Sequence, residues 1–346
     1  MSKLSPSGVF NYELPDERIA QRPVYPYSDA KLLSVDRNSG DLRDSTFNSI
    51  AEFLNPNDLL VFNNTRVRAS RIFGKLRTGA AVELLVLKEL STGSFECMGR
   101  PLKKLNLGTE IELEGGLKAV AGTRKEDTKI EVDIFLGDKP ASLEEIDRLA
   151  LMPIPPYIRK GYADTKDRED YQTHFAENTG SVAAPTASLH FTPELVSKIK
   201  AKGCRVEFLT LHVGPPSFLS LWKEGDEFIE GPGTEAFISD LELVDKCRAV
   251  KDNGGRVIAV GTTAVRALES MVRVEASGEL KTDLFISPGF DFKLVDVMIT
   301  NFHLPKSSHL LLVEAFCGRE LLAKSYNYAL DLEYRFLSYG DGMILV

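Results

Sequence analysis

The sequence predicts an α/β fold: alternating strands and helices with parallel strands, interrupted by a small antiparallel β-barrel. Three observations carry this. From about residue 150 onward, apolar strand-like runs alternate with capped helical stretches, the pattern of a parallel sheet with crossover helices. Between about 67 and 148 the runs are short, partly alternating and bounded by Gly, Asp or Asn, as in a small antiparallel barrel. The apolar runs Lys31–Val35 and Leu59–Phe62 come before that zone, which makes it an insertion between early and late parts of one domain. The expected division is 1–66 with 149–346 for the α/β domain, and 67–148 for the inserted barrel.

Within the insertion, strands are expected at Val82–Leu87, Phe95–Met98, Thr109–Leu113, Leu117–Val120 and Lys129–Phe135. A short helix is expected at 142–149, with Ser142 as its cap. Next comes Gly180-Ser-Val-Ala-Ala-Pro-Thr-Ala-Ser-Leu-His-Phe-Thr-Pro193. Small residues run from Gly180 to Ser188, so the backbone can press against a ligand, or the segment can pack tightly as a helix entry. Thr192 caps and Pro193 suits the first turn of a helix to Lys202, which Gly203 ends. Further strands are expected at Arg205–Leu211, Arg256–Val260 and Leu294–Thr300, with a last one beginning at Tyr334–Ser338. Further helices are expected at Leu241–Lys251, from about Ala264, and at Ser308–Phe316.

Composition narrows the function classes. With 43% hydrophobic and 27% charged residues the chain is an ordinary globular protein. No apolar run approaches the roughly 20 residues that span a bilayer. The N-terminal Met-Ser-Lys-Leu-Ser-Pro-Ser lacks the apolar core of a signal peptide. Cys97, Cys204, Cys247 and Cys317 are scattered, with neither metal-knuckle nor disulfide-framework spacing, which fits a reducing cytoplasm. The net charge of −8 means that any nucleic acid must be held by a local patch. One candidate is 59–82, which has no Asp or Glu but carries Arg66, Arg68, Arg71, Lys75 and Arg77; the other reading is a solvated strand face.

In α/β barrels the working groups project from the C-terminal ends of the strands. Five apolar runs here end in polar or glycine-rich clusters: Asn63-Asn64-Thr65-Arg66, His212-Val213-Gly214, Gly261-Thr262-Thr263, Asn301-Phe302-His303 and Tyr339-Gly340-Asp341. Gly261-Thr262-Thr263 opens a helix, and Arg266 adds a positive charge within its first turn; such a terminus suits a carboxylate or phosphate, or is simply capped by threonine. Of the five histidines, His190, His212 and His303 fall at loop or strand ends, where one can act as a base. No HxH or HExxH spacing supports a metal.

Many ordered motifs resemble one family, the S-adenosylmethionine:tRNA ribosyltransferase-isomerases of queuosine synthesis. They include Phe10-Asn-Tyr-Glu-Leu-Pro15, Asp58-Leu-Leu-Val-Phe-Asn-Asn-Thr-Arg-Val67, Met152-Pro-Ile-Pro-Pro-Tyr-Ile158, Leu209-Thr-Leu-His-Val-Gly214, Thr300-Asn-Phe-His-Leu-Pro-Lys-Ser307 and Ser338-Tyr-Gly-Asp341. The resemblance implies an irregular, TIM-like α/β barrel carrying a small inserted β-barrel. It also implies a reaction: the ribosyl part of S-adenosylmethionine is moved onto 7-aminomethyl-7-deazaguanine at the tRNA wobble position and rearranged to epoxyqueuosine, releasing adenine and methionine. S-adenosylmethionine is then a consumed substrate, and no metal or other cofactor is expected. A cytoplasmic monomer with no membrane partner is expected too. The site residues so implied are His190, His212, His303 and Asp341 for proton transfer. Thr186, Ala187, Ser188, Gly261, Thr262, Thr263, Arg266 and Asn301 would bind substrate, and Arg66, Arg68, Arg71 and Lys75 would approach tRNA.

The chain departs from the family pattern after Gly214. It reads Pro215-Pro216-Ser217-Phe218 and then Glu230-Gly-Pro-Gly-Thr-Glu235, with no histidine between His212 and His303. Glu235 aligns with the family's glutamate without the histidine beside it. Lys31 and Ser188 stand where arginine and glycine are expected. The alternatives to the transferase are a divergent, non-catalytic tRNA-binding relative and another α/β-barrel enzyme acting on a small anionic substrate.

Overall fold

The computed structural model describes residues 10–125, 128–214, 229, 231 and 233–346. The Pro215–Phe218 stretch and Glu230 lie outside them. The chain divides into two compact units, one of Met1–Arg66 with Gln172–Val346 and one of Val67–Tyr171.

The first unit is built on a nine-stranded mixed sheet. Its order is Gly278–Thr282, Glu235–Ser239, Arg205–His212, Leu59–Asn63, Val257–Val260, Val297–Asn301, Gly342–Leu345, Lys31–Val35 and Leu42–Thr46. The four strands from Arg205–His212 to Val297–Asn301 run parallel side by side. Every residue of Leu59–Asn63, Val257–Val260 and Val297–Asn301 is buried, as expected for strands covered on both faces. Leu60, Phe62, Ile258, Val260, Val297 and Ile299 pack with Phe191, Leu195 and Ile199 of the segment entering and forming the helix Pro193–Ala201. The helix Thr262–Val274 lies against the neighbouring parallel strands.

A TIM-like closure is not confirmed. The strand order has two ends, and Gly342–Leu345 runs antiparallel to Val297–Asn301. A closed parallel barrel needs a parallel partner on both sides of each strand, and here the run of parallel neighbours breaks at that pair. Several elements depart from the expected set, among them the strands Leu42–Thr46, Glu235–Ser239 and Gly278–Thr282. Tyr334–Ser338 forms no strand: Leu337 has φ 70°, and the last strand starts only at Gly342. The helix Arg319–Asp331 is an addition to the expected set.

The second unit contains a closed, six-stranded antiparallel barrel. Its strands are Lys129–Leu136, Ser94–Arg100, Ala81–Ser91, Arg71–Leu76, Glu110–Leu113 and Leu117–Arg124, with the last pairing back to the first. Alternation fills its interior: Ile130, Val132 and Ile134 are buried while Asp133 is exposed. Gly74 permits closure, because a Cβ there would lie 2.4 Å from the Glu112 carbonyl oxygen. Ser142 caps the helix Leu143–Leu149 through a reciprocal capping box with Glu145. Residues 149–171 group with this unit. Leu151 exchanges backbone hydrogen bonds with Arg71, and the Arg71 guanidinium donates to the carbonyls of Ile154 (2.6 Å) and Gly161 (2.9 Å).

Candidate active site

The strand order sets four of the polar clusters next to one another. His212, Asn63, Gly261 and Asn301 stand at the C-terminal ends of the four adjacent parallel strands. Asp341 reaches the same end by another route. It precedes an antiparallel strand whose first residue, Gly342, is in register with Asn301. The loop Thr186–His190 closes over these ends: Thr186 Oγ1 donates to Asn301 Oδ1 at 2.8 Å. Gly261 (φ 93°) faces the same loop, and a Cβ built on it would sit 3.8 Å from the Ala187 methyl.

His190 is buried in this loop and stacks on Phe47, with ring centroids 4.0 Å apart. Its Nδ1 lies 3.4 Å from the Tyr27 carbonyl oxygen, which can only accept, so Nδ1 carries the proton. Nε2 then turns its lone pair to the Asn301 amide at 3.5 Å. Burial is the main cause that pushes the His190 pKa down to about 4, helped by the Arg335 charge and opposed by the Tyr27 carbonyl. His190 is therefore neutral at physiological pH, with both nitrogens engaged. Beside it, Ser188 is fully buried, with its hydroxyl unpartnered among the described residues.

His212 is half-buried, and its Nδ1 lies 2.9 Å from Thr65 Oγ1. Thr65 also meets Ser181 Oγ at 2.7 Å, and Ser181 Oγ accepts from the Val213 amide at 2.8 Å. Gly180 packs on the imidazole so closely that a Cβ would lie 2.6 Å from His212 Nδ1. The small residues of this stretch thus admit a histidine ring at one end and the Gly261 turn at the other. Asn63 ties the floor together: its amide donates to the Leu211 carbonyl (2.9 Å) and to Thr263 Oγ1 (3.3 Å), while Oδ1 accepts from the amides of Thr65 and Leu211.

The remaining acid and base candidates have structural duties. Asp341 Oδ1 accepts from the Lys31 amide (2.9 Å) and Oδ2 from the Arg335 amide (2.7 Å). Burial raises its carboxyl, against the pull of those amides and of Arg335. His303 Nε2 lies 2.8 Å from Thr300 Oγ1, and its ring stacks on His309 at 5.2 Å. Desolvation, then the neighbouring His309, holds its pKa well below the ordinary value.

Arg266 leaves the Thr262 helix to form a buried ion pair with Glu235, whose Oε1 accepts from the Gly214 amide at 2.9 Å. Its Nε donates to the Leu284 carbonyl at 3.1 Å, and its Nη2 is buried without a partner among the described residues. Thr262 is buried; no side chain caps this helix, whose first position follows Gly261 directly.

Of the basic residues, Arg66, in the first unit, and Lys75, on the barrel, are exposed, and Arg68 is half-buried. Arg71 is a correction. Its guanidinium lies inside the barrel unit, beside Glu83 at 2.9 Å and bonded to two carbonyls, so it organises that unit and is not presented outward. Among the described residues, no group of three or more His, Cys, Asp or Glu side chains is placed to hold a metal ion.

The structure adds Asn63, Thr65, Ser181 and Tyr27 to the site. The polar run Asn63-Asn64-Thr65 directly after Leu59–Phe62 was a usable sequence signal for the first two. Tyr27 acts through its backbone carbonyl, for which no side-chain pattern exists.

Residues 8–345 match the family model described as queuosine biosynthesis protein. An S-adenosylmethionine:tRNA ribosyltransferase-isomerase from Thermotoga maritima is 41% identical over 347 residues, covering 97% of this chain and 98% of that one. A protein of the same description from Thermotoga petrophila is 41% identical over 340 residues, with the same coverage. Among solved structures, the S-adenosylmethionine tRNA ribosyltransferase of Thermotoga maritima is similar at 35% identity and a TM-score of 0.55, covering 97% of this chain and 99% of that one.

Proposed function

The chain belongs to the queuosine biosynthesis protein family, and we propose that it is an S-adenosylmethionine:tRNA ribosyltransferase-isomerase. It moves the ribosyl part of S-adenosylmethionine onto 7-aminomethyl-7-deazaguanine in tRNA and isomerises it to epoxyqueuosine, with adenine and methionine as the other products. The observation that carries this reading is the convergence of His212, Asn63, the Gly261 turn and Asn301 at adjacent parallel strand ends, under the loop Thr186–His190. That is where a barrel-type fold would place its working groups, whether or not the sheet closes.

The sulfonium of S-adenosylmethionine acidifies the neighbouring ribose carbon, so a positioned base suffices to start the reaction. We assign that base to His212. It is half-buried and held by Thr65, whereas Asp341 has both oxygens on backbone amides and His303, bonded to Thr300 in the same way, has its pKa held well below the ordinary value by desolvation and by His309. His190 is a neutral positioning residue that, with Asn301 and Thr186, fixes the loop over the ribose. The small residues Gly261 and Ala187 let the backbone come close to the substrate. The chemistry calls for no additional cofactor. Arg66, Arg68 and Lys75 approach tRNA, Arg71 being internal. The same reading makes the protein a cytoplasmic monomer; no helix of the described residues is long and apolar enough to cross a membrane.

The test is incubation with S-adenosylmethionine and a tRNA carrying 7-aminomethyl-7-deazaguanine. Free adenine and a tRNA nucleoside with the mass of epoxyqueuosine are expected. Folded protein that binds the tRNA but yields neither would refute the assignment.

A further inference from the structure

Beside Arg266 lies a small cavity that the reaction as described does not use. Its volume is about 20 Å³, and Arg266, Phe285, Ile286, Ser308 and His309 are among its lining. That is room for one water-sized group. Three uncommitted donors belong to residues of this lining. Arg266 is more than nine-tenths buried, and its Nη1 and Nε are committed to Glu235 and the Leu284 carbonyl, yet Nη2 has no partner among the described residues. The other two belong to the ten-residue helix Ser308–Cys317, whose N-terminus enters the lining. Its N-cap, Ser307, takes the Leu310 amide on Oγ (3.2 Å) and the Leu311 amide on its carbonyl (3.2 Å). Among the described residues nothing accepts from the amides of Ser308 and His309.

A buried guanidinium N–H left unpaired costs free energy comparable to a lost charge-assisted hydrogen bond, and helix N-terminal amides favour an anion. The charge is felt locally, since Arg266 adds to the burial that holds the His309 pKa down at about 4, despite the Glu235 partner. Neither Lys306 nor Arg319 is among the residues lining this cavity.

We infer that this cavity is an anion subsite that receives one oxygen of the substrate's α-carboxylate, between Arg266 Nη2 and the first amides of the Ser308 helix. The inference rests on S-adenosylmethionine being the substrate and names where its amino-acid end is held. It moves that end away from the Gly261 turn, leaving the amides there for another part of the substrates.

The experiment compares binding of S-adenosylmethionine with that of its decarboxylated analogue, in which hydrogen replaces the α-carboxylate, by titration calorimetry on the full chain. The wild-type protein should bind the analogue about tenfold or more weakly, the size of one lost charge-assisted contact. Arg266→Lys keeps the charge beside Glu235 but not the fork, and should bind both ligands alike. His309→Leu leaves both the Glu235 pair and the backbone amide in place, and should keep the discrimination. Equal wild-type affinity for the two ligands would overturn the subsite while leaving the substrate reading in place. Full discrimination retained in Arg266→Lys, or lost instead in Thr263→Val, would overturn it as well. Absence of binding to either ligand would overturn both the subsite and the proposed substrate.

Discussion

Gly180→Ala places a single methyl group against His212 and tests whether that histidine is the base. The added Cβ would lie 2.6 Å from Nδ1, 2.7 Å from Cε1 and 2.8 Å from Cγ, so the whole ring is met and not merely its tip. The imidazole must retreat by about 0.8 Å to reach ordinary contact at 3.4 Å, and in doing so it stretches the 2.9 Å contact with Thr65. Losing that hydrogen bond costs about 1 kcal/mol of stability, a few degrees in Tm at most. The catalytic cost is larger, because a base misplaced by nearly an ångström loses roughly tenfold to a hundredfold in rate. The assay is single-turnover adenine release at saturating S-adenosylmethionine, alongside thermal unfolding. Thr65→Val removes the tether from the other side. Since both changes act on one ring position, the double variant should lose much less than the sum of the two in free energy. Full activity in Gly180→Ala, or strict additivity of the pair, would refute the assignment of His212.

Other consequences concern separate contacts. Asn301→Asp puts an acceptor opposite His190 Nε2 and gives Thr186 a charged partner; His190 should take up a proton more readily, and turnover should fall at neutral pH with the loss eased at higher pH, read from pH–rate profiles. His190 also makes stability pH-dependent. Its folded pKa, about 4, lies below the ordinary 6.5, so its contribution is fully present above pH 6.5 and is lost as pH falls from 6.5 toward 4. That fall amounts to about 3 kcal/mol, and urea unfolding of His190→Asn should show a shallower acid-side slope than wild type. Arg71→Met should destabilise the barrel unit by about 3 kcal/mol, as expected for breaking a buried, hydrogen-bonded charge. The melting temperature should drop, with little change in the salt dependence of tRNA binding by the folded protein. Lys75→Ala and Arg66→Ala should do the reverse, with Tm unchanged and the slope of log affinity against log salt reduced by about one each.

What the sequence disclosed follows from which forces act locally. Helix starts were legible because capping is a contact within one turn: Ser142 and Thr192 were nameable, and both cap as hydrogen-bond acceptors. The parallel strands were legible because burial on both faces leaves an unbroken apolar run, as in Leu59–Phe62 and Val257–Val260. Edge strands were not. Leu42–Thr46 is Leu-Arg-Asp-Ser-Thr, half-exposed and polar, and becomes a strand only because Lys31–Val35 offers it a ladder. The fate of Arg71 was equally hidden: its neighbours in sequence are as basic as it is, but its partners are carbonyls 83 and 90 residues further on. Sequence spacing reports charge density; only the folded unit decides which guanidinium turns inward.

Asp341 shows how a site can be found for a reason that proves incomplete. Reading a cluster after a strand placed it at a C-terminal end, yet it stands before its strand, and the strand runs the other way. Both routes end at Asn301 because reversing a strand and reversing the side on which the residue lies cancel. The same reversal explains its occupation. At the start of an incoming antiparallel strand, the carboxylate meets the amide of Arg335 in the segment that delivers it and that of Lys31, the first residue of the neighbouring strand. At the end of an outgoing parallel strand, by contrast, a side chain leaves its own ladder behind and is free to meet a neighbouring loop, as Asn301 meets Thr186 and His190. Polar residues on outgoing strands are therefore the ones to examine for chemistry, and those on incoming strands for the architecture that holds them. By that division His212 and Asn301 belong to the reaction and Asp341 to the frame. Asp341→Asn should accordingly lower the melting temperature more than it lowers the rate of adenine release, whereas His212→Asn should do the opposite.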